Sequence, residues 1–384
     1  MTGPIRHLAG LASILARRGH EVNVVTSNSD VPDSTPAEEE VNRVAIHRLR
    51  TEWRWGHWIR CPELRRFLKL NDYDLIHAQS YRNYFCETGA EIARTRQVPF
   101  VITPRGSLLG YRYIGATRFS WTPNIVFDLA TRKRALRRAT IVTTSSAETE
   151  DALRIGIPAD RIRMIPHGLD LNFMPEFKPR STGGERLLFV GRITGQRNLE
   201  FLLRGFYLAT KTHPNLGLTV VGDPIPSKFS FSERHYNGRI RLLATKLNLD
   251  SRVRFVGGVY GSALWDYYLA SDLFLYSAKY DNFGLALLEA AYFGLPIIST
   301  PVGIAPELGR LSGGVLLADH DDDQALSDAI HKASTDAEWR GQASRSLHQI
   351  SKNFSIERNA DAHEFLYESL IDSQGIAATG RIGS

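Results

Sequence analysis

Asp281-Asn282-Phe283-Gly284-Leu285-Ala286-Leu287-Leu288-Glu289-Ala290-Ala291-Tyr292-Phe293-Gly294-Leu295-Pro296 reads as a glycine turn opening a short apolar helix with an acid at each end. At the start of that helix the backbone N–H groups of Phe283, Gly284 and Leu285 have no intrahelical acceptor, which favours phosphate, and Gly284 lets a ligand come close. Asp281 precedes the helix and Glu289 lies eight residues on. Eight helical residues span roughly 12 Å, about the separation of the sugar and the ribose in a nucleotide diphosphate sugar. A plainer reading has Asp281 as a cap, Glu289 facing solvent, and Gly294 with Pro296 ending the helix. Taken alone, the stretch leaves both readings open.

Upstream, Phe189-Val190-Gly191-Arg192-Ile193-Thr194-Gly195-Gln196-Arg197-Asn198-Leu199 reads as a buried strand running into a glycine turn, with two arginines five residues apart before a helix. Guanidinium groups are always charged and fork onto phosphate oxygens. On the plainer reading they are solvated loop charges.

The rest of the chain frames these two loops. Its 384 residues, 43% hydrophobic and 23% charged, are enough to bury two cores. Apolar runs expected as strands lie at 21–26, 74–77, 99–103, 140–143 and 162–165, then at 187–190, 217–221, 252–256, 272–276 and 296–299, with helix-length periodic stretches between them. That alternation points to parallel α/β domains. Ile5, Leu8, Leu11, Ala12 and Leu15 recur at helical spacing, with Gly19 after them. Phe173 to Glu185, rich in Pro, Gly, Ser and charge, reads as a linker. The expected division is an N-terminal domain over 1–172, joined by a returning helix at about 353–373, and a C-terminal domain over 173–352, with 374–384 as a tail.

On these residues the chain resembles the family 4 retaining glycosyltransferases of the GT-B fold, whose C-terminal domain carries a Gly-Arg-x4-Lys loop and a Glu-x7-Glu motif written around Phe-Gly-Leu. Arg197 stands where the family usually has Lys, and Asp281 where it usually has the first Glu. Further landmarks are Gly19-His20-Glu21-Val22, Asp74-Leu75-Ile76-His77-Ala78, Thr103-Pro104-Arg105-Gly106-Ser107-Leu108, Ser145-Ser146-Ala147-Glu148 and Ile165-Pro166-His167-Gly168-Leu169-Asp170. Val221-Gly222-Asp223-Pro224 and Arg254-Phe255-Val256-Gly257 continue them. Arg105 falls where many members have a histidine, and His167 where asparagine is usual.

The resemblance implies two Rossmann-like domains facing each other across a cleft. It also implies a first strand leading into a Gly-Gly loop. This sequence starts at Met1-Thr2-Gly3-Pro4, inside that loop, so the first N-terminal strand is expected to be missing and its two neighbours to be left with exposed edges.

In function, the resemblance implies sugar transfer from a nucleotide diphosphate sugar with retention of anomeric configuration, as a hexosyltransferase. Arg192, Arg197 and Asp281 form the expected catalytic set: the arginines offset charge on the leaving diphosphate and Asp281 holds hydroxyls of the transferred sugar. Gly3, Arg105, Gly191, Arg254, Val256, Phe283, Gly284, Leu285 and Glu289 complete the expected donor site, with Glu289 on the ribose and the backbone near Arg254 to Val256 at the base. Arg105 and Gly106 are also candidates for contacting the acceptor. No metal is expected, because no Asp-x-Asp pair is placed to hold one, and no cofactor beyond the UDP-, GDP- or ADP-linked sugar itself.

The acceptor is read as a glycan or a lipid-linked sugar, in surface polysaccharide or glycoconjugate synthesis. Residues 50–69 hold Trp53, Trp55 and Trp58 among basic residues, and Arg132-Lys133-Arg134 with Arg137-Arg138 add a second basic stretch. Tryptophan with arginine suits an anionic headgroup surface; tryptophans packed under a loop are the alternative. The formal charge of +6 and pI near 9.3 fit an anionic partner. No recognition helix, zinc site or aromatic RNA platform supports nucleic acid. With no long apolar run and no signal peptide, the expectation is a cytoplasmic protein, peripheral on the inner face of the plasma membrane if the docking reading holds. Cys61 and Cys86 are read as reduced packing residues. A catalytically weak GT-B scaffold subunit and a GT-B-like sugar-nucleotide epimerase stand as alternatives.

Overall fold

The computed structural model describes residues 3–29, 31–55, 58–110, 112, 122–131, 133–177, 183–224 and 235–373. The chain forms two compact units: an N-terminal one running to Asp170 and resuming at Ile356, and a C-terminal one over Leu171–Ser355.

In the N-terminal unit, β1 (Val22–Ser27), β2 (Glu38–Val41) and β3 (Val44–Leu49) form one sheet in the order β1-β3-β2, with β1 parallel and β2 antiparallel to β3. A small hairpin, β4 (Trp53–Trp55) and β5 (Trp58–Arg60), precedes the helix Glu63–Leu70. A second, all-parallel sheet holds β6 (Ile76–Gln79), β7 (Phe100–Thr103), β8 (Thr140–Thr143) and β9 (Ile162–Met164) in chain order. Among the described residues β1 pairs only with β3, and β6 only with β7, so each keeps an unpaired edge, as expected where a first strand is missing. Every residue of β6 is only half-buried, whereas its neighbour β7 is buried throughout.

The helix Ile356–Ser373 belongs to this unit. Ile356 and Ala360 pack on Leu11, Ile14 and Leu15 of the first helix, Gly3–Arg17, and Leu366 packs on Val101 and Val142 of the second sheet. Arg18 pairs with Asp361 at 2.5 Å and with Glu364.

The C-terminal unit is a six-stranded parallel sheet: β10 (Arg186–Val190), β11 (Gly217–Val221), β12 (Val253–Gly257), β13 (Leu273–Tyr276), β14 (Ile297–Ser299) and β15 (Val315–Leu317). Their order, β12-β11-β10-β13-β14-β15, is the doubly wound one, and its direction reverses between β10 and β13. The central strands are short continuous apolar runs because helices cover both faces. Phe189, Leu218 and Val220 lie in a buried core with Phe201, Phe206 and Ile330. Close helix packing needs Gly205: a Cβ there would lie 2.6 Å from Leu326 Cδ2.

Three features were not foreseen. The pair β2–β3 was missed because Glu38-Glu39-Glu40 has no strand signature; its acids pair across the ladder instead, Glu38 with His47 at 3.4 Å and Glu39 with Arg48. Strand β15 was too short to stand out. The tryptophan segment proved to be the β4–β5 hairpin followed by a helix; Trp53 is half-exposed there, while the side chains of Trp55 and Trp58 lie outside the described residues. Arg132, the expected tail 374–384 and the middle of the expected linker, 178–182, also lie outside them.

Candidate functional site

The loops after β10 and β13 meet where the strand order reverses, the position at which ligands bind in sheets of this kind. Three hydrogen bonds clamp the loops together. Gln196 Nε2 donates to the Tyr280 carbonyl at 2.8 Å, the Lys279 amide to the Gln196 carbonyl at 2.8 Å, and Ser277 Oγ to the Arg197 carbonyl at 2.7 Å. The first loop also runs tight against the segment after β11. A Cβ on Gly222, whose φ is +155°, would lie 1.8 Å from the Gly191 carbonyl oxygen, so only glycine fits there.

This clamp brings Arg197 and Asp281 into a direct, largely buried ion pair, Nη1 to Oδ2 at 2.5 Å. Tyr276, the last residue of β13, donates its hydroxyl to the same carboxylate oxygen and also meets Arg197. The Phe283 amide donates to Asp281 Oδ1 at 3.3 Å. Burial alone would push the Asp281 carboxyl up; the Arg197 charge and these hydrogen bonds more than offset it and hold Asp281 below the ordinary carboxylate value. Burial likewise works against the Arg197 charge, and Asp281 outweighs it, so Arg197 stays firmly protonated.

Asp281 Oδ1 caps the turn, as the plainer reading had it, while Oδ2 faces the arginine. Of the three amides expected to receive phosphate, that of Phe283 is engaged by Asp281, and those of Gly284 and Leu285 stand at the start of the helix Leu285–Tyr292, which no side chain caps at Gly284. Gly284 takes a left-handed φ of 84° as that helix begins. The helix stops just before Gly294, as read. Glu289 does not face solvent: it is buried and accepts a hydrogen bond from Tyr268 at 2.7 Å.

Arg192, on the same loop as Arg197, is exposed, and Gly191 lies beside the Arg197 side chain. Arg254 is not brought to this cluster. Its side chain lines a broad groove with Arg186, Gly217 and Val253, the first residues of β10, β11 and β12, at the opposite end of the sheet. Val256 lies further along β12 and is half-buried. Gly3 and Arg105 belong to the other unit, Gly3 at the start of the first helix and Arg105 in the loop after β7. Arg105 Nε donates to Gln79 at 2.6 Å, and the Gly106 amide donates to Glu148 at 2.6 Å. Sequence reasoning missed Tyr276 and Tyr268; a tyrosine ending the strand before the Asp281 loop was the available signal for the first.

Cys61 and Cys86 are buried and free, and burial raises both thiol pKa values. No helix among the described residues is long and apolar enough to cross a membrane.

Comparison with known proteins gives the family. Residues 2–168 match the glycosyl transferase 4-like domain, and residues 172–353 match the glycosyl transferases group 1 family. The lipopolysaccharide core biosynthesis mannosyltransferase LpsB of Rhizobium meliloti is 30% identical over 269 residues, covering 64% of this chain and 72% of LpsB. The sucrose-phosphate synthase structure from Thermosynechococcus elongatus superposes with a TM-score of 0.76 at 23% identity, over 97% of this chain and 94% of that one. Anabaena HepE, solved in complex with UDP-glucose, superposes with a TM-score of 0.71 at 18% identity, over 96% of each chain. At such identities the two structures speak for the fold alone. With both halves of the chain matched, the protein belongs to the family 4 glycosyltransferases of the GT-B fold.

Proposed function

We propose that this glycosyltransferase moves a hexose from a nucleotide diphosphate sugar to a glycan or lipid-linked acceptor with retention of configuration and without a metal ion. The observation that carries the donor half is the Arg197–Asp281 pair at the strand-order reversal, next to an open helix start and with Glu289 on the helix that follows. Asp281, held on both oxygens, is a fixed acceptor for hydroxyls of the transferred sugar. Arg197 has five N–H groups, so it can keep Asp281 while others meet the diphosphate, with Arg192 joining from the exposed side. The two arginines offset the charge that develops on the leaving group, so the chemistry needs no side-chain nucleophile. Glu289, oriented by Tyr268, takes ribose hydroxyls.

The acceptor belongs to the N-terminal unit in this proposal. A membrane surface near it is favoured by the helix Thr122–Thr131, which exposes Ile125, Val126 and Leu129 and is followed by exposed Arg134, Arg137 and Arg138. Flotation with anionic liposomes at low salt tests this; a protein left in the unbound fraction removes the membrane from the reading.

A thermal-shift screen with UDP, GDP, ADP and their sugar conjugates tests the donor site, since a ligand of the folded state raises its stability. The expected result is a shift with one base that disappears in an Arg192→Ala, Arg197→Ala double variant. No shift with any nucleotide would overturn the donor site. Turnover that survives EDTA and a product of unchanged anomeric configuration by NMR would support the finer claims. Nucleotide binding without turnover would favour the scaffold alternative.

A further inference from the structure

In the N-terminal unit a second group of polar residues lies at the carboxyl ends of four parallel strands. Gln79 ends β6 and Thr103 ends β7; Thr144 follows β8, and Ile165 and His167 follow β9. With Arg105, His7 of the first helix and His363 of the last, they line a small pocket with room for about one water molecule. His7 is only 6% exposed, yet neither of its ring nitrogens has a hydrogen-bond partner. Arg105 Nη1 and Asn359 Oδ1 are likewise buried without one. Asn359 lies close enough to His7 to favour its charged form, but the two make no well-formed hydrogen bond. Unpaired groups of this kind are rare in a folded protein.

Among the described residues the Arg105 guanidinium also has no carboxylate in direct contact. Among the described residues Arg105 is the one cation lining the pocket, held at a φ of +53° that its type seldom adopts. Burial brings its pKa down to about 10, and Glu148 opposes that fall. Glu148 makes no hydrogen bond to Arg105 itself, because its oxygens already accept the Gly106 amide at 2.6 Å and the Thr144 amide and hydroxyl at 2.9 Å. The surrounding imidazoles add no negative charge, and burial with the Arg105 charge holds His7 down at about 3. A water molecule would satisfy a donor without bringing a negative charge into direct contact with the guanidinium.

We propose that this pocket receives an oxyanion, one oxygen of a carboxylate or phosphate group entering between the Arg105 guanidinium and the His7 ring. The entering oxygen accepts hydrogen bonds from Arg105 Nη1 and from a His7 N–H, and its charge compensates Arg105. The rest of the ligand stays at the mouth, where the ends of the parallel strands open. Resting on the transferase reading for which molecule carries the group, the acceptor is an acidic one, bearing a carboxylate or a phosphate near the hydroxyl that is glycosylated.

The test uses the full chain labelled with 15N-histidine. Ring signals are followed by NMR during addition of sodium acetate or of sodium phosphate, against sodium chloride at matched ionic strength. His7→Gln identifies the His7 signal. The expected result is a saturable change at His7 with acetate, phosphate or both, absent with chloride and lost in Arg105→Gln. Arg105→Lys, which keeps the charge, retains part of the response and controls for a folding defect in the Gln variant. Acetate alone identifies a carboxylate-bearing acceptor, phosphate alone a phosphorylated one. A His7 signal that ignores both anions, or responds equally in Arg105→Gln, overturns the proposal and leaves water in the pocket. Nucleotide binding is read in a separate experiment, so a silent His7 beside a normal nucleotide shift sinks the pocket and spares the transferase reading.

Discussion

Lowering the pH from about 7.5 to about 5.5 should sharply weaken the N-terminal unit, because four of its histidines are held neutral in the fold. Burial lowers the pKa of His7, His77, His167 and His363, and the charge of Arg105 adds to the effect at each. In the folded unit His7 titrates at about 3 and His363 at about 4, whereas an unfolded histidine titrates near about 6.5. The folded pKa values are the depressed ones, so the unfolded chain binds more protons. Stability is therefore full above the unfolded value and falls as the pH drops from there toward the folded values. At about pH 5.5 the unfolded state gains RT ln(1 + 10), about 1.4 kcal/mol per histidine. His7 and His363 together contribute about 3 kcal/mol, and His77 and His167 add to the loss in the same direction. Glu148 opposes part of this, since burial raises its pKa and the folded unit takes up a proton there on acidification. Equilibrium urea unfolding at constant ionic strength, followed by tryptophan fluorescence and near-ultraviolet circular dichroism, reads the change. His7→Gln should reduce the pH-dependent loss by about 1.4 kcal/mol relative to its own value at neutral pH. A total loss under about 1 kcal/mol, or an identical loss in His7→Gln, would refute the picture of neutral buried imidazoles.

Three further outcomes follow from the C-terminal unit. Asp281→Ala leaves Arg197 in a largely buried place without its counter-charge, and should cost about 3–5 kcal/mol of stability together with sugar transfer. Asp281→Glu should keep part of both in urea and turnover assays, and full activity in the Ala variant would remove Asp281 from the site. Gly222→Ala should cost more than about 3 kcal/mol or prevent soluble expression, because its Cβ would lie 1.8 Å from the Gly191 carbonyl oxygen; Gly183→Ala, with nothing within 4 Å of the added carbon, is the neutral control. Tyr268→Phe removes the donor that orients Glu289 and should weaken nucleotide affinity several-fold by calorimetry, with the melting temperature changing little.

The dependence of Asp281 on Arg197 also bears on the proposed donor site. A carboxylate held by an arginine, a tyrosine and a backbone amide does not wander, so its geometry exists before any ligand arrives. Such preorganisation lowers the cost of binding the sugar in one orientation.

By itself the sequence determined the fold class and the two glycine loops that carry Arg197 and Asp281. Strands buried under helices on both faces must be short apolar runs, and Arg186–Val190, Gly217–Val221 and Leu273–Tyr276 carry that signature within their own residues. Gly191, Gly284 and the charges beside them are likewise local signals, and they place Arg197 and Asp281 on turns. What those turns do to each other was decided by tertiary structure. The pairing of β10 with β13 brings Arg197 onto Asp281 and Tyr276, and the packing of the helix Ser262–Ala270 brings Tyr268 to Glu289. The β2–β3 pair escaped the sequence because its acids are balanced only by residues on the neighbouring strand. His7, Gln79, Arg105, His167 and His363 make the same point most fully. Each looks ordinary in its own segment, and only the convergence of four strand ends and two helices brings them to one pocket, where the His7 ring nitrogens and Arg105 Nη1 are buried without a partner. Local patterning reports a residue's own conformation, whereas desolvation and charge pairing are properties of neighbours that the chain supplies from far away.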